Sequence, residues 1–213
     1  MIDLLHPVPK DFATGDPNIE FMAEEYFRQN YDKWFPTETP MHTLMNLIGY
    51  FSAPASSKHH GAFPTGLFCH SLKVAEYLAS WNLNWENERS PYVIGLLHDL
   101  CKVDSYIPHE VTTTKPAYMI SETKGIYTSE TETHVEYEYN KTPDISGHGF
   151  KSIAVASRFL TLTEEEITCI IYHMGPFQNY GYSIEEYSRI CDKWPNVMWT
   201  HHADMLATHK DQI

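Results

Sequence analysis

From residue 18 onward, apolar positions recur at the spacing of an amphipathic helix, with Ile19, Met22, Tyr26 and Phe27 leading a run that ends near Trp34. The preceding stretch holds Pro7, Pro9 and Pro17 and reads as an irregular lead-in. Beyond Pro36 and Pro40, Thr39 is expected to cap a second helix with Leu44, Leu47, Ile48 and Phe51 on one side. Residues 52–66 form a loop rich in proline and glycine. Helical patterning returns over 67–81 and again from Pro91, a good first-turn residue, to Lys102.

The period then changes. Residues 103–144 alternate and favour β-branched and aromatic side chains, which predicts about two to four short strands. Helices resume over 147–160, 163–173 and 194–208, with a shorter one near Ser183. Thr163 followed by Glu165 and Glu166 is a strong helix start. The expected architecture is mostly α, a helical bundle with a small β insertion. It forms a single domain in which residues 1–39 are lead-in and first helix, 40–102 and 145–210 the helical core, and 103–144 the insertion.

Composition narrows the function classes. The chain has 213 residues, 42% of them hydrophobic, and a formal net charge of −13. That balance argues against gripping duplex nucleic acid, although bound metal ions can supply local positive charge to a nucleotide. The four cysteines form no C-x-x-C pair and read as free thiols of a reducing compartment. No basic start leads into an apolar core and no run reaches membrane-spanning length, so a soluble, cytoplasmic protein is expected.

Histidine is heavily used, with 13 residues against 15 lysines and arginines. Several histidines stand singly on apolar helical frames: His70, His98 beside Asp99, His148 in SGHGFKS and His173 in IIYHMGP. Asp204 lies on the last helix. A buried His-Asp pair is costly unless something pairs with it, and a divalent metal accepts imidazole nitrogen and carboxylate oxygen together. The plain alternative for each residue is a hydrogen-bonded core or helix-end side chain. Lys102 shares a helix face with His98 and adds a cation to the same rim.

The order H…HD…H…H…D, here His70, His98-Asp99, His148, His173 and Asp204, resembles the HD-domain superfamily of metal-dependent phosphohydrolases. The segment HHGAFPTGLFCHSLKVAE is similar to the lead into the first ligand of HD-type 3′–5′ exoribonucleases. LLHDLCK, a β-rich insertion, GHGxKS and the HMG turn resemble a group of phage- and Firmicute-type HD proteins. Phe150 and Cys101 depart from that pattern, where glutamate and glycine are expected. The resemblance implies an HD-domain helical bundle and a two-metal subtype. His70, His98, Asp99 and Asp204 would hold one ion, and Asp99 would bridge to another held by His148 and His173. The ions would be divalent transition metals (Mn, Fe, Ni, Co or Zn) rather than Mg. A shared hydroxide would attack phosphorus, with Lys102 neutralising a phosphate oxygen. His60 and Lys151 are further candidates for phosphate contact.

The implied substrate is a nucleotide or a short single-stranded or cyclic oligonucleotide, with no duplex and no membrane partner, and a homo-oligomer is compatible. Two alternatives stay open: a di-iron HD oxygenase, and a non-catalytic metal-stabilised nucleotide-binding module.

Overall fold

Residues 18–59, 61–120, 125–141, 147–177 and 183–210 are described by the computed structural model, and within them eight α-helices and one β-hairpin form. The lead-in through Pro17 lies outside these residues. The fold is mostly α with a small β insertion, as the patterning predicts.

Helix α1 (Ile19–Asn30) buries Ile19, Ala23 and Phe27, one side chain per helical turn. Phe27 meets Phe51 and Phe68 edge to face, at centroid separations of 5.8 and 6.4 Å, and this aromatic cluster anchors the first helix to the core. Helix α2 (Met41–Leu47) departs from expectation. It buries Met41 and Met45, while Leu47 is 79% exposed. Its N-cap is Pro40, without a side-chain cap, and the Thr39 carbonyl instead accepts the Thr37 hydroxyl. A residue preceding proline is pushed toward extended backbone, so the helix starts beyond Thr39.

Helix α3 (Gly66–Ser80) is the central element, packed against both α4 (Ser90–Leu97) and α8 (Asn196–His209). The apolar pattern continues to Lys102, but the α-helix does not. It stops at Leu97, and the chain passes through His98 and Asp99 into a 3-10 turn over Leu100–Asp104. Asp99 adopts φ −105° and ψ 18°, outside helical values. In a continuous helix, successive side chains diverge by about 100°. The break lets His98 and Asp99 face one cluster.

The insertion is one long hairpin. Strands β1 (Tyr106–Ile120) and β2 (Gly125–Tyr139) pair antiparallel without a bulge, from Tyr106↔Tyr139 to Ile120↔Gly125. Glu130, Glu132, Glu136 and Glu138 on β2 are solvated. Beyond the hairpin come α5 (His148–Ala156), α6 (Glu164–Tyr172) and α7 (Ile184–Lys193). Thr163 and Ser183 each close a capping box with the glutamate three residues on. Helix α6 touches α4, α5 and α8. No helix among the described residues is long and apolar enough to cross a membrane.

Candidate metal centre

Five helices deliver the polar side chains of one buried cluster. His70 lies in the second turn of α3, His98 and Asp99 follow α4, His148 opens α5, His173 caps α6, and Asp204 lies within α8. Close helix contact sets the spacing. A Cβ at Gly149 would stand 2.6 Å from the Ile171 carbonyl oxygen, so α5 lies directly on α6 and His148 comes beside His173. Their ring centroids are 5.2 Å apart.

The cluster has two halves that share one carboxylate. In the first, His70 Nε2 lies 3.1 Å from Asp204 Oδ1, 3.3 Å from His98 Nε2 and 3.5 Å from Asp99 Oδ2. His98 Nε2 is 3.5 Å from the same Asp99 oxygen. In the second, Asp99 Oδ1 lies 2.7 Å from His148 Nε2 and 3.5 Å from His173 Nε2. The six sequence candidates therefore meet in one place.

Backbone carbonyls orient two of the rings. His98 Nδ1 donates to Gly95 O at 2.8 Å, and His173 Nδ1 to Ile170 O at 2.7 Å. Each donation leaves the Nε2 lone pair facing the cluster. His173 Nε2 is buried without a hydrogen-bond partner among the described residues. His201 holds His173 from behind, its Nδ1 donating to the His173 carbonyl at 2.8 Å.

Burial and charge act against each other here. Burial pushes His98 down to about 3, so its imidazole is neutral. Burial alone would raise the Asp99 carboxyl, but Lys102, His98 and His148 outweigh it and hold Asp99 well below the usual range. Asp204 is likewise lowered, with burial overcome by its hydrogen bond to His70 and that ring's charge. Lys102 Nζ lies 2.7 Å from Asp99 Oδ2. Burial works to lower the lysine, and Asp99 raises it above its ordinary value.

These donors fit a metal. Ligand atoms bound at about 2.1 Å to a common ion stand roughly 3.0–3.4 Å apart, for octahedral to tetrahedral angles. In the first half, His70 Nε2 lies at or near that spacing from Asp204, His98 and Asp99, while His98 Nε2 to Asp204 Oδ1 is wider at 3.8 Å. The neutral His98 imidazole, the ionised carboxylates and the buried His173 nitrogen lacking a partner are donors such an ion takes.

Cys101 belongs to the cluster although its spacing reads as a packing position. An Asp99 oxygen, the Cys101 sulfur and a His148 ring nitrogen all lie within 4.8 Å of one another. The Cys101 thiol faces His148 Nδ1 at 3.3 Å, and burial pushes it up to about 12. In the sequence, its position two residues after Asp99 and its departure from the expected glycine are the signals for it. Lys151, a candidate for phosphate contact, is instead buried and paired with Asp104. His60 lies outside the described residues.

The buried His/Asp/Cys cluster is thus a site able to hold metal ions. Against protein-family models, curated proteins and solved structures, the chain finds no match.

Proposed function

We propose that this chain is a metal-dependent phosphohydrolase of the HD type, cleaving a phosphoester of a nucleotide or of a short or cyclic oligonucleotide. One observation carries the reading: the two oxygens of Asp99 face two separate histidine sets, His70 and His98 at Oδ2, His148 and His173 at Oδ1. A carboxylate placed in this way is suited to bridge two ions.

His70, His98 and Asp204 would hold one ion, His148 and His173 the other, with Asp99 common to both. The histidine-rich donor set favours Mn, Fe, Ni, Co or Zn over Mg. When bound, two such ions supply an activated water and neutralise phosphate charge. The protein's own part is to hold that site rigid and partly dry. The cluster reaches solvent most at His148, 27% exposed, with Lys102 and Asp204 less so, and a phosphate enters from that edge. Lys102 presents its ammonium there and pairs with a non-bridging phosphate oxygen.

Elemental analysis of protein purified without chelator tests the reading. About two equivalents of transition metal, lost in Asp99→Ala, are expected for a two-ion site. A panel of nucleotides, cyclic dinucleotides and short oligonucleotides should then release phosphoester products. Failure to take up Mn, Ni, Fe or Zn on reconstitution overturns the proposal. Oxygen uptake without phosphoester cleavage would replace hydrolysis by di-iron oxidation.

A further inference from the structure

A second cleft lies at the opposite ends of the helices that carry His70 and His98. Its walls are Trp34, Trp81, Trp85 and Tyr92, and Glu88 is its one charged lining residue among the described residues. Trp81, the C-cap of α3, stands eleven positions beyond His70, roughly 16 Å at the helical rise. The cleft is therefore distinct from the metal centre. Its volume of about 410 Å³ is that of a small-ligand site.

The geometry points to a binding site for a small organic cation of the trimethylammonium class, held by the rings of Trp81, Trp85 and Tyr92, with Trp34 stacked on Tyr92, and by the Glu88 carboxylate.

Three observations support that ligand chemistry. Trp34 and Tyr92 stack at 4.6 Å with 11° between their planes, a rigid aromatic wall of negative quadrupole. The Lys33 ammonium lies 5.2 Å from the Trp34 ring centroid, so Trp34 is covered by Tyr92 and by Lys33 and acts as the backing of the wall. Glu88 is the charged acceptor of the lining, and the buried Trp85 Nε1, without a hydrogen-bond partner among the described residues, belongs to it as a donor. An ammonium bearing three N–H groups would be left short of acceptors there, whereas a fully methylated one needs only the rings and a single negative charge. Glu88 is exposed, yet its charge reaches Tyr92: burial and then Glu88 raise the phenol above its ordinary value.

The test is a titration of the full chain with choline chloride, followed by the indole N–H signals of its five tryptophans. Equimolar sodium chloride serves as the salt control, and 3,3-dimethylbutan-1-ol as the neutral isostere. Saturable shifts are expected for Trp34, Trp81 and Trp85 and none for Trp194. The isostere should bind about tenfold more weakly, because it lacks the charge the rings attract. Glu88→Gln, an exposed and conservative change, should weaken choline roughly fivefold and leave the alcohol unaffected. Absence of saturable shifts, equal affinity for the two compounds, or undiminished choline binding by Glu88→Gln would each overturn the site. None of these readouts depends on the metal centre or on turnover.

Discussion

Gly95 and Ala75 meet backbone to backbone where α4 crosses α3: a Cβ at Gly95 would stand 2.3 Å from the Ala75 Cα. The same crossing carries His98, three residues on, to 3.3 Å from His70. The Gly95 carbonyl also anchors the His98 ring. Gly95→Ala must separate the helices, and overpacking of this kind costs about 1–3 kcal/mol. The variant should unfold at lower temperature and bind metal more weakly. Thermal denaturation with a parallel metal titration checks both, and wild-type values in the two would contradict the tight crossing.

The proposed role of Lys102 separates metal binding from chemistry. It pairs with Asp99 but is itself no metal ligand. Lys102→Met should retain the metal content of the wild type. On the proposed function, phosphoester turnover should fall on the order of 10²-fold, the usual effect of losing a positioned donor at a developing charge. Elemental analysis beside steady-state kinetics separates the two effects. Metal loss in this variant would make Lys102 a structural partner of Asp99.

Arg89 supports a different buried charge. The fully buried Glu166 carboxylate accepts from Arg89 Nε and Nη2, both at 3.0 Å, from Ser90 Oγ at 3.1 Å and from the Thr163 amide at 2.9 Å. Removing the arginine leaves that carboxylate without its counter-charge, at a cost of about 3–5 kcal/mol. Arg89→Ala should therefore lower the urea midpoint sharply while metal stoichiometry is unchanged, since Arg89 precedes α4 at the end away from His98. A midpoint equal to the wild type's would show the pair to be dispensable.

Alkali should weaken the fold through two buried acids that are not themselves candidate ligands. Burial raises the Cys169 thiol above its ordinary 9.0 and the Tyr50 phenol above 10.0. Tyr50 also donates to Leu96 O at 2.8 Å, a bond that needs the phenolic proton. Unfolded chains release these protons at the ordinary values while the folded chain keeps them. Their contribution is complete below pH 9 and is lost as pH rises above it. Urea midpoints should hold from about pH 7.5 to 9 and decline toward about pH 10.5, with a shallower decline in Cys169→Ala. A flat profile would show that neither group is shielded.

Much of this arrangement is legible from residue types and spacing. Thr163 and Ser183 start helices because capping is local chemistry, complete within four residues. The six candidate ligands stand out because each is a polar group on an apolar frame. What escapes is tertiary. The end of α4 at Leu97 is hidden because Leu100 and Cys101 continue the apolar run and are buried in the turn that follows. Leu47 and Met45 are both apolar, and only the position of α1 decides which is covered. Glu165 and Glu166 look like first-turn surface acids, yet both are buried: Glu165 accepts from Asn196 and the Glu86 amide, and Glu166 from Arg89. Lys151 could be recognised as a charge, but its partner Asp104 lies 47 residues away.

The hairpin leaves the helical body at Tyr106 and returns at Tyr139, and these residues are register partners. Entry and exit therefore coincide, held by the Asn140 amide on Ser105 O at 2.8 Å. A segment attached in this way behaves as an appendage whose length is decoupled from its mounting. Paired residues can be added or removed at the far end while the base keeps its geometry, so the hairpin can diverge in reach and in surface chemistry at little cost to the cluster beneath it.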